Sequence, residues 1–70
     1  MIPLTFAENG EEKTVKRIGG TEEMRHHLEN LGFTVGAPVT VVNTLAGSVI
    51  VNVRGVRVAV GKDMAMKILI

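Results

Sequence analysis

Between Thr21 and Phe33 the apolar residues fall at Met24, Leu28 and Leu31, the four- and three-residue spacing of one buried helical face. Thr21 stands where a helix N-cap belongs. Glu22 and Glu23 follow in the first turn, where the helix dipole favours negative charge. Gly32 fits the left-handed position after the helix, and Phe33 then closes onto Leu28 as the apolar contact of a Schellman end. The spacing therefore predicts one helix from about Glu22 to Leu31. After Gly36 and Pro38 the apolar period drops to two. Val39 and Val41 share one face, with Thr40 and Val42 opposite. Beyond a loop at Asn43–Gly47, Val49, Val51 and Val53 face one way, and Ser48, Asn52 and Arg54 the other. Arg54-Gly55 turns the chain, and Val56, Val58 and Val60 alternate with Arg57 and Ala59. This is the pattern of a three-stranded antiparallel meander with β-branched inward positions.

The flanks complete the sheet. "MIPLTFAENGEEK" reads as an extended lead-in and a loop around Asn9-Gly10. Lys13–Ile18 reads as a strand that bends or bulges, because its apolar residues Val15 and Ile18 are three apart, and Gly19-Gly20 ends it. "GKDMA" supplies one tight turn, with a 3₁₀ turn as the candidate. Met66, Ile68 and Ile70 form a last strand. The expected fold is mainly β: one domain over residues 1–70, a small SH3-like barrel of about five antiparallel strands with one inserted α-helix closing an end. A sheet this short buries itself best by curling, which also protects its edges.

Composition narrows the function classes. The chain has no cysteine, which removes disulfides, thiolate zinc sites and iron–sulfur clusters and suits a reducing cytoplasm. No apolar run approaches the ~20 residues needed to span a bilayer, and no basic-then-apolar leader is visible, so the protein is expected to be cytoplasmic and not membrane-embedded. Net charge is only +1, and the aromatics are two Phe with no Tyr or Trp. Both features disfavour nucleic acid as a partner, because phosphate binding needs cations and single-strand platforms need exposed rings.

Three stretches carry a resemblance. "KRIGG" ahead of the helix, "LENLGFTVGAPVTVV" across its end, and "VNVRGVRVAVGKDMAMKI" through the last hairpin and turn together resemble the ferrous iron transport protein A (FeoA) family of small SH3-like proteins. The resemblance covers nearly the whole chain. Two positions depart from the family pattern: Val35 stands where many members have proline, and the "NTLAGS" loop is shorter and uncharged. The resemblance implies a non-catalytic accessory of bacterial ferrous iron uptake. The implied partner is the membrane ferrous iron permease with its GTPase domain, met by protein–protein contact. The family is also often labelled as transition-metal-binding.

Chemistry-bearing residues are few. His26 and His27 are adjacent, so on a helix they point about 100° apart and do not chelate one ion together. His27 flanks the apolar stripe and is expected at the edge of the core. His26 shares an outward stripe with Glu22 and Glu29, an oxygen and nitrogen set that could hold a divalent transition metal weakly. A solvated charge face is the plainer expectation for that trio, and no other cofactor is expected. Arg54 and Arg57, with Lys62 following, are expected on the outward face of neighbouring strands, where they could meet an acidic partner. Leu45 at a loop tip and Ile50 on the polar face of its strand are apolar residues expected in solvent. These four, Leu45, Ile50, Arg54 and Arg57, are the partner-binding candidates. Met64 and Met66 are expected as core filler. Ser48 has no evident His and acid to pair with, Asp63 suits a turn, and the glycines form no phosphate loop. No catalytic set is expected. The alternative reading is a metal-sensing regulatory SH3-like domain that binds a transition metal through Glu22, His26 and Glu29.

Overall fold

A computed structural model describes residues 1–70. In chain order the elements are β1 (Glu12–Thr14), β2 (Arg17–Ile18), α1 (Glu22–Asn30), β3 (Pro38–Leu45), β4 (Ser48–Val53), β5 (Val56–Gly61), α2 (Lys62–Ala65) and β6 (Ile68–Leu69), preceded by a 3₁₀ turn at Leu4–Phe6. The meander β3–β4–β5 is antiparallel throughout. With β1 on its far side it makes a four-stranded sheet, β1-β3-β4-β5, and β2 and β6 pair separately. The mainly β, SH3-like architecture with one principal helix is as the residue pattern predicts.

The strand expected over Lys13–Ile18 is divided between the two sheets. β1 pairs with β3 and β2 with β6. Val15 is the corner. Its N–H donates to the Ala37 carbonyl at 3.0 Å and its carbonyl accepts the Gly36 N–H at 2.7 Å, whereas the next residue, Lys16, already donates to Leu69 at 2.8 Å. Val15 and Ile18 are both buried. In a straight strand residues three apart face opposite sides, so both can reach one core only if the chain turns between them.

Inside, the core is wholly apolar, from Leu4 and Val15 through Leu28 and Phe33 to Val49, Val51, Val53 and Ile68. No polar or charged residue is buried. The valines of β3 and β4 point inward at the predicted positions. Along β5 burial rises with distance from the β4–β5 turn, from Val56, 60% exposed, through half-buried Val58 to buried Val60.

Several local expectations are corrected. The extended lead-in contains the 3₁₀ turn, which drives Leu4 into the core. The loop expected at Asn43–Gly47 is only the two-residue turn Ala46-Gly47, both at positive φ, so β3 runs on to Leu45. A β-bulge at Val42 shifts the β3–β4 register between Val41 and Asn43. "GKDMA" forms the helical turn α2, closed by the Met66 N–H on the Lys62 carbonyl at 2.9 Å. Met66 therefore ends a helix rather than starting a strand, and it is exposed rather than core filler, while Met64 packs against the core. The last strand is short. Beyond it Ile70 is buried and exchanges two backbone hydrogen bonds with Ile2, at 3.0 and 2.8 Å.

Candidate functional site

The helix α1 ends as its sequence dictates. The Thr21 hydroxyl accepts the Met24 N–H at 3.2 Å. At the other end the Gly32 N–H donates to Glu29 and the Phe33 N–H to Leu28, both at 2.9 Å. These are the two bonds of a Schellman motif, with Gly32 at φ +107°. Phe33 and Leu28 are fully buried, whereas Met24 and Leu31 are only partly so. One helical residue thus anchors α1, and its other faces lie open. His27 is exposed rather than tucked at the core edge, since of the helix residues only Leu28 is fully buried.

A groove of about 510 Å³ runs between α1 and the β2 corner, lined by Lys16, Arg17, Ile18, Glu22, Arg25, His26, Glu29, Thr34 and Val35. In it the Nε2 of His26 lies 3.7 Å from a Glu22 carboxylate oxygen, and both side chains are largely solvent-exposed. Glu29 lines the same groove but does not converge with them: no three His, Asp or Glu side chains in the chain gather around one point. The pair is an exposed contact worth little on its own. Lys16, Arg17 and Arg25 were not singled out from the sequence. The adjacent bases at 16 and 17 were visible there, but the sheet switch that brings them beside α1 was not.

The outer face of the meander holds the second constellation. Register pairs Leu45 with Ser48, Asn43 with Ile50 and Asn52 with Arg57. Alternate residues share a face, so Leu45, Ile50 and Arg57 lie together on the outer side, diagonal to one another. Ala59, opposite Ile50, extends this surface. Leu45 is 55% exposed and Ile50 half-buried. Arg54 is not part of this face. It occupies the β4–β5 turn at φ +53°, and its guanidinium donates to the Thr34 hydroxyl at 2.9 Å, across the segment that follows α1. The strand pattern placed Arg54 outward on β4, but the two-residue turn takes it out of the strand. Lys62 begins α2. Of the four partner-binding candidates, three are gathered and one is diverted.

The FeoA domain family model matches residues 2–70. The chain belongs to the FeoA domain family. It is 36% identical over 70 residues to "Putative Fe(2+) transport protein A" of Methanocaldococcus jannaschii, covering all of this chain and 85% of that protein. Among solved structures it is similar to a crystal structure of an iron uptake regulatory protein, FeoA, with a TM-score of 0.87 and 34% identity over 96% of this chain and 89% of that one. The solution structure of a FeoA protein from Chlorobium tepidum gives a TM-score of 0.87 at 23% identity, over 97% of this chain and 67% of that one. A manganese-dependent transcriptional repressor shares the fold, with a TM-score of 0.86 and 23% identity, this chain spanning 38% of its length. The last two likenesses show the fold alone. No helix of this chain is long and apolar enough to cross a membrane.

Proposed function

We propose that this FeoA-family chain is a cytoplasmic, non-catalytic accessory of ferrous iron uptake that acts by contact with the membrane ferrous iron permease and its GTPase domain. The observation that carries the reading is the family match across residues 2–70, supported by the iron transport name of the 36% identical relative. The outer face of β3–β5 is the proposed contact: Leu45 and Ile50 supply apolar area, and Arg57 supplies charge that speeds encounter with an acidic surface. Leu45 and Arg57 are exposed, so changing them spares the core. A domain this small offers little area, so the interface is expected near the low end of the specific range, roughly 1,200 Å² in total, and the complex to be transient.

Leu45→Glu and Arg57→Glu are expected to keep the fold and weaken binding to the permease in detergent-solubilised host membranes. The expected loss is about tenfold for Leu45→Glu and several-fold for Arg57→Glu. Iron-limited growth should fall in step. Variants that fold normally, bind normally and support growth would remove this face from the proposal and move the search to the groove beside α1.

A regulatory, metal-responsive domain is the second reading, and its support is the Glu22–His26 approach. Titration with Zn²⁺ or Fe²⁺, followed at the histidine ring resonances, is expected to give fast-exchange shifts, larger at His26 than at His27. A stoichiometric complex tighter than roughly micromolar, lost in His26→Ala, would instead favour the regulatory reading.

A further inference from the structure

We propose that two copies of this chain associate by antiparallel pairing of their β5 edges, centred on Val58. This goes beyond contact with the permease and does not depend on it.

β5 is the last strand of the four-stranded sheet and pairs only with β4. The β4–β5 turn is two residues long, and Arg54 and Gly55 both have positive φ, +53° and +77°. In such a turn the flanking residues Val53 and Val56 close a hydrogen-bonded pair. Hydrogen-bonded and non-bonded pairs then alternate, so Val58 and Val60 bond to β4, while the N–H and C=O of Arg57 and Ala59 point away from it. No turn, loop or cap hydrogen bond reaches those four groups.

Sheets protect an edge with proline, charged side chains, a bulge, extreme shortness, an inward charge or a covering helix or loop. The opposite edge, β1, is three residues long, and ahead of its first residue the Gly10 N–H bonds to the Val41 carbonyl at 2.7 Å. β5 is six residues long, free of proline and in unbroken register with β4. Its one charge, Arg57, lies on the outer face, beside the strand's unpaired groups rather than across them.

The sequence of β5 fits itself in one register. With Val58 opposite its symmetry mate, Val56 meets Val60 of the second copy and Arg57 meets Ala59. Every inner-face pair is then valine on valine, and the paired surface includes Val56, which is 60% exposed in the single chain. On the outer face each arginine faces an alanine, so the two guanidinium groups are not opposed. The outward N–H and C=O groups of Arg57 and Ala59 pair in phase, giving four ladder hydrogen bonds across the two-fold axis. A register shifted to place Arg57 opposite Arg57 would set like charges against each other. Such an isologous edge-to-edge contact is a closed two-fold dimer.

Ala59 supplies the test, because it is exposed and lies on the outer face opposite Ile50. The purified chain, its Ala59→Glu and Ala59→Arg variants are compared by sedimentation equilibrium from about 10 µM to 1 mM, with circular dichroism confirming the fold. The contact is small, so the unmodified chain is expected to dimerise with a dissociation constant on the order of 100 µM. Ala59→Glu places a carboxylate opposite each Arg57 and should tighten the dimer about fivefold; Ala59→Arg should weaken it about fivefold. The gain in Ala59→Glu should vanish in ~1 M salt. A chain that stays monomeric throughout overturns the proposal and leaves the edge for a strand of another protein. A dimer weakened by Ala59→Glu overturns the Val58-centred pairing, since that result belongs to a register with Ala59 opposite itself.

Discussion

Phe33→Ala is expected to remove most of the protein's stability. Phe33 is the largest fully buried side chain. Its ring is fully enclosed in the apolar core, while its own N–H holds the end of α1 through the 2.9 Å bond to Leu28. Truncating a buried phenylalanine costs about 3–5 kcal/mol, from lost transfer energy and the cavity left behind. A domain of this length has a total stability of roughly 4–10 kcal/mol. Urea unfolding should therefore show a midpoint lowered by well over ~1 M, or a chain already unfolded in buffer. A shift much smaller than that would mean the core closes over the gap, and that α1 is held by Leu28 without the ring.

Gly32→Val should destabilise for a different reason, strain rather than a void. Gly32 sits at φ +107°, and a Cβ there would stand in ordinary van der Waals contact with the Val53 Cγ2 at 3.4 Å and the Arg54 Cδ at 3.5 Å. A β-branched residue held at such a φ costs on the order of 1–3 kcal/mol, with the Schellman bonds weakened besides. The melting temperature should fall by roughly 5–20 °C. Gly36→Ala separates the causes. Gly36 also has positive φ, +92°, but open space where a Cβ would stand, so it should lose only the conformational part. If Gly32→Val melts with the unmodified protein, the helix end is not fixed by that residue.

Local patterns were legible in the sequence and through-space events were not. The bounds of α1 are written in Thr21 and Gly32, because caps and left-handed stops are properties of a few consecutive residues. The inward valines of β3 and β4 follow from alternation. Val15 announced a bend by its spacing from Ile18, but which sheet each half would join depends on strands far along the chain. Met66 left its expected core place because α2 keeps it outside, and the lead-in, expected only as extended, hid the 3₁₀ turn that takes Leu4 inward. At the proposed contact face, the same alternation put Leu45, Ile50 and Arg57 on one side. Arg54 escaped it because a two-residue turn begins there, and its bond to Thr34 joins residues 20 apart. Likewise Glu29 shares a helical stripe with Glu22 and His26, yet a stripe does not fix where long side chains end.

The reciprocal hydrogen bonds between Ile2 and Ile70 bear on the order in which the molecule assembles. They join backbone groups separated by nearly the whole sequence, so the loop they close is a very long one, and its entropy must be lost before the bonds return anything. The β3–β4 and β4–β5 hairpins close over two residues each and can form early. The segment around Leu4, β2 and β6 then docks late, and by the same reasoning it opens first. Amide protons there should exchange with solvent through openings that leave the meander intact, making the last step of folding also the shallowest excursion of the folded state.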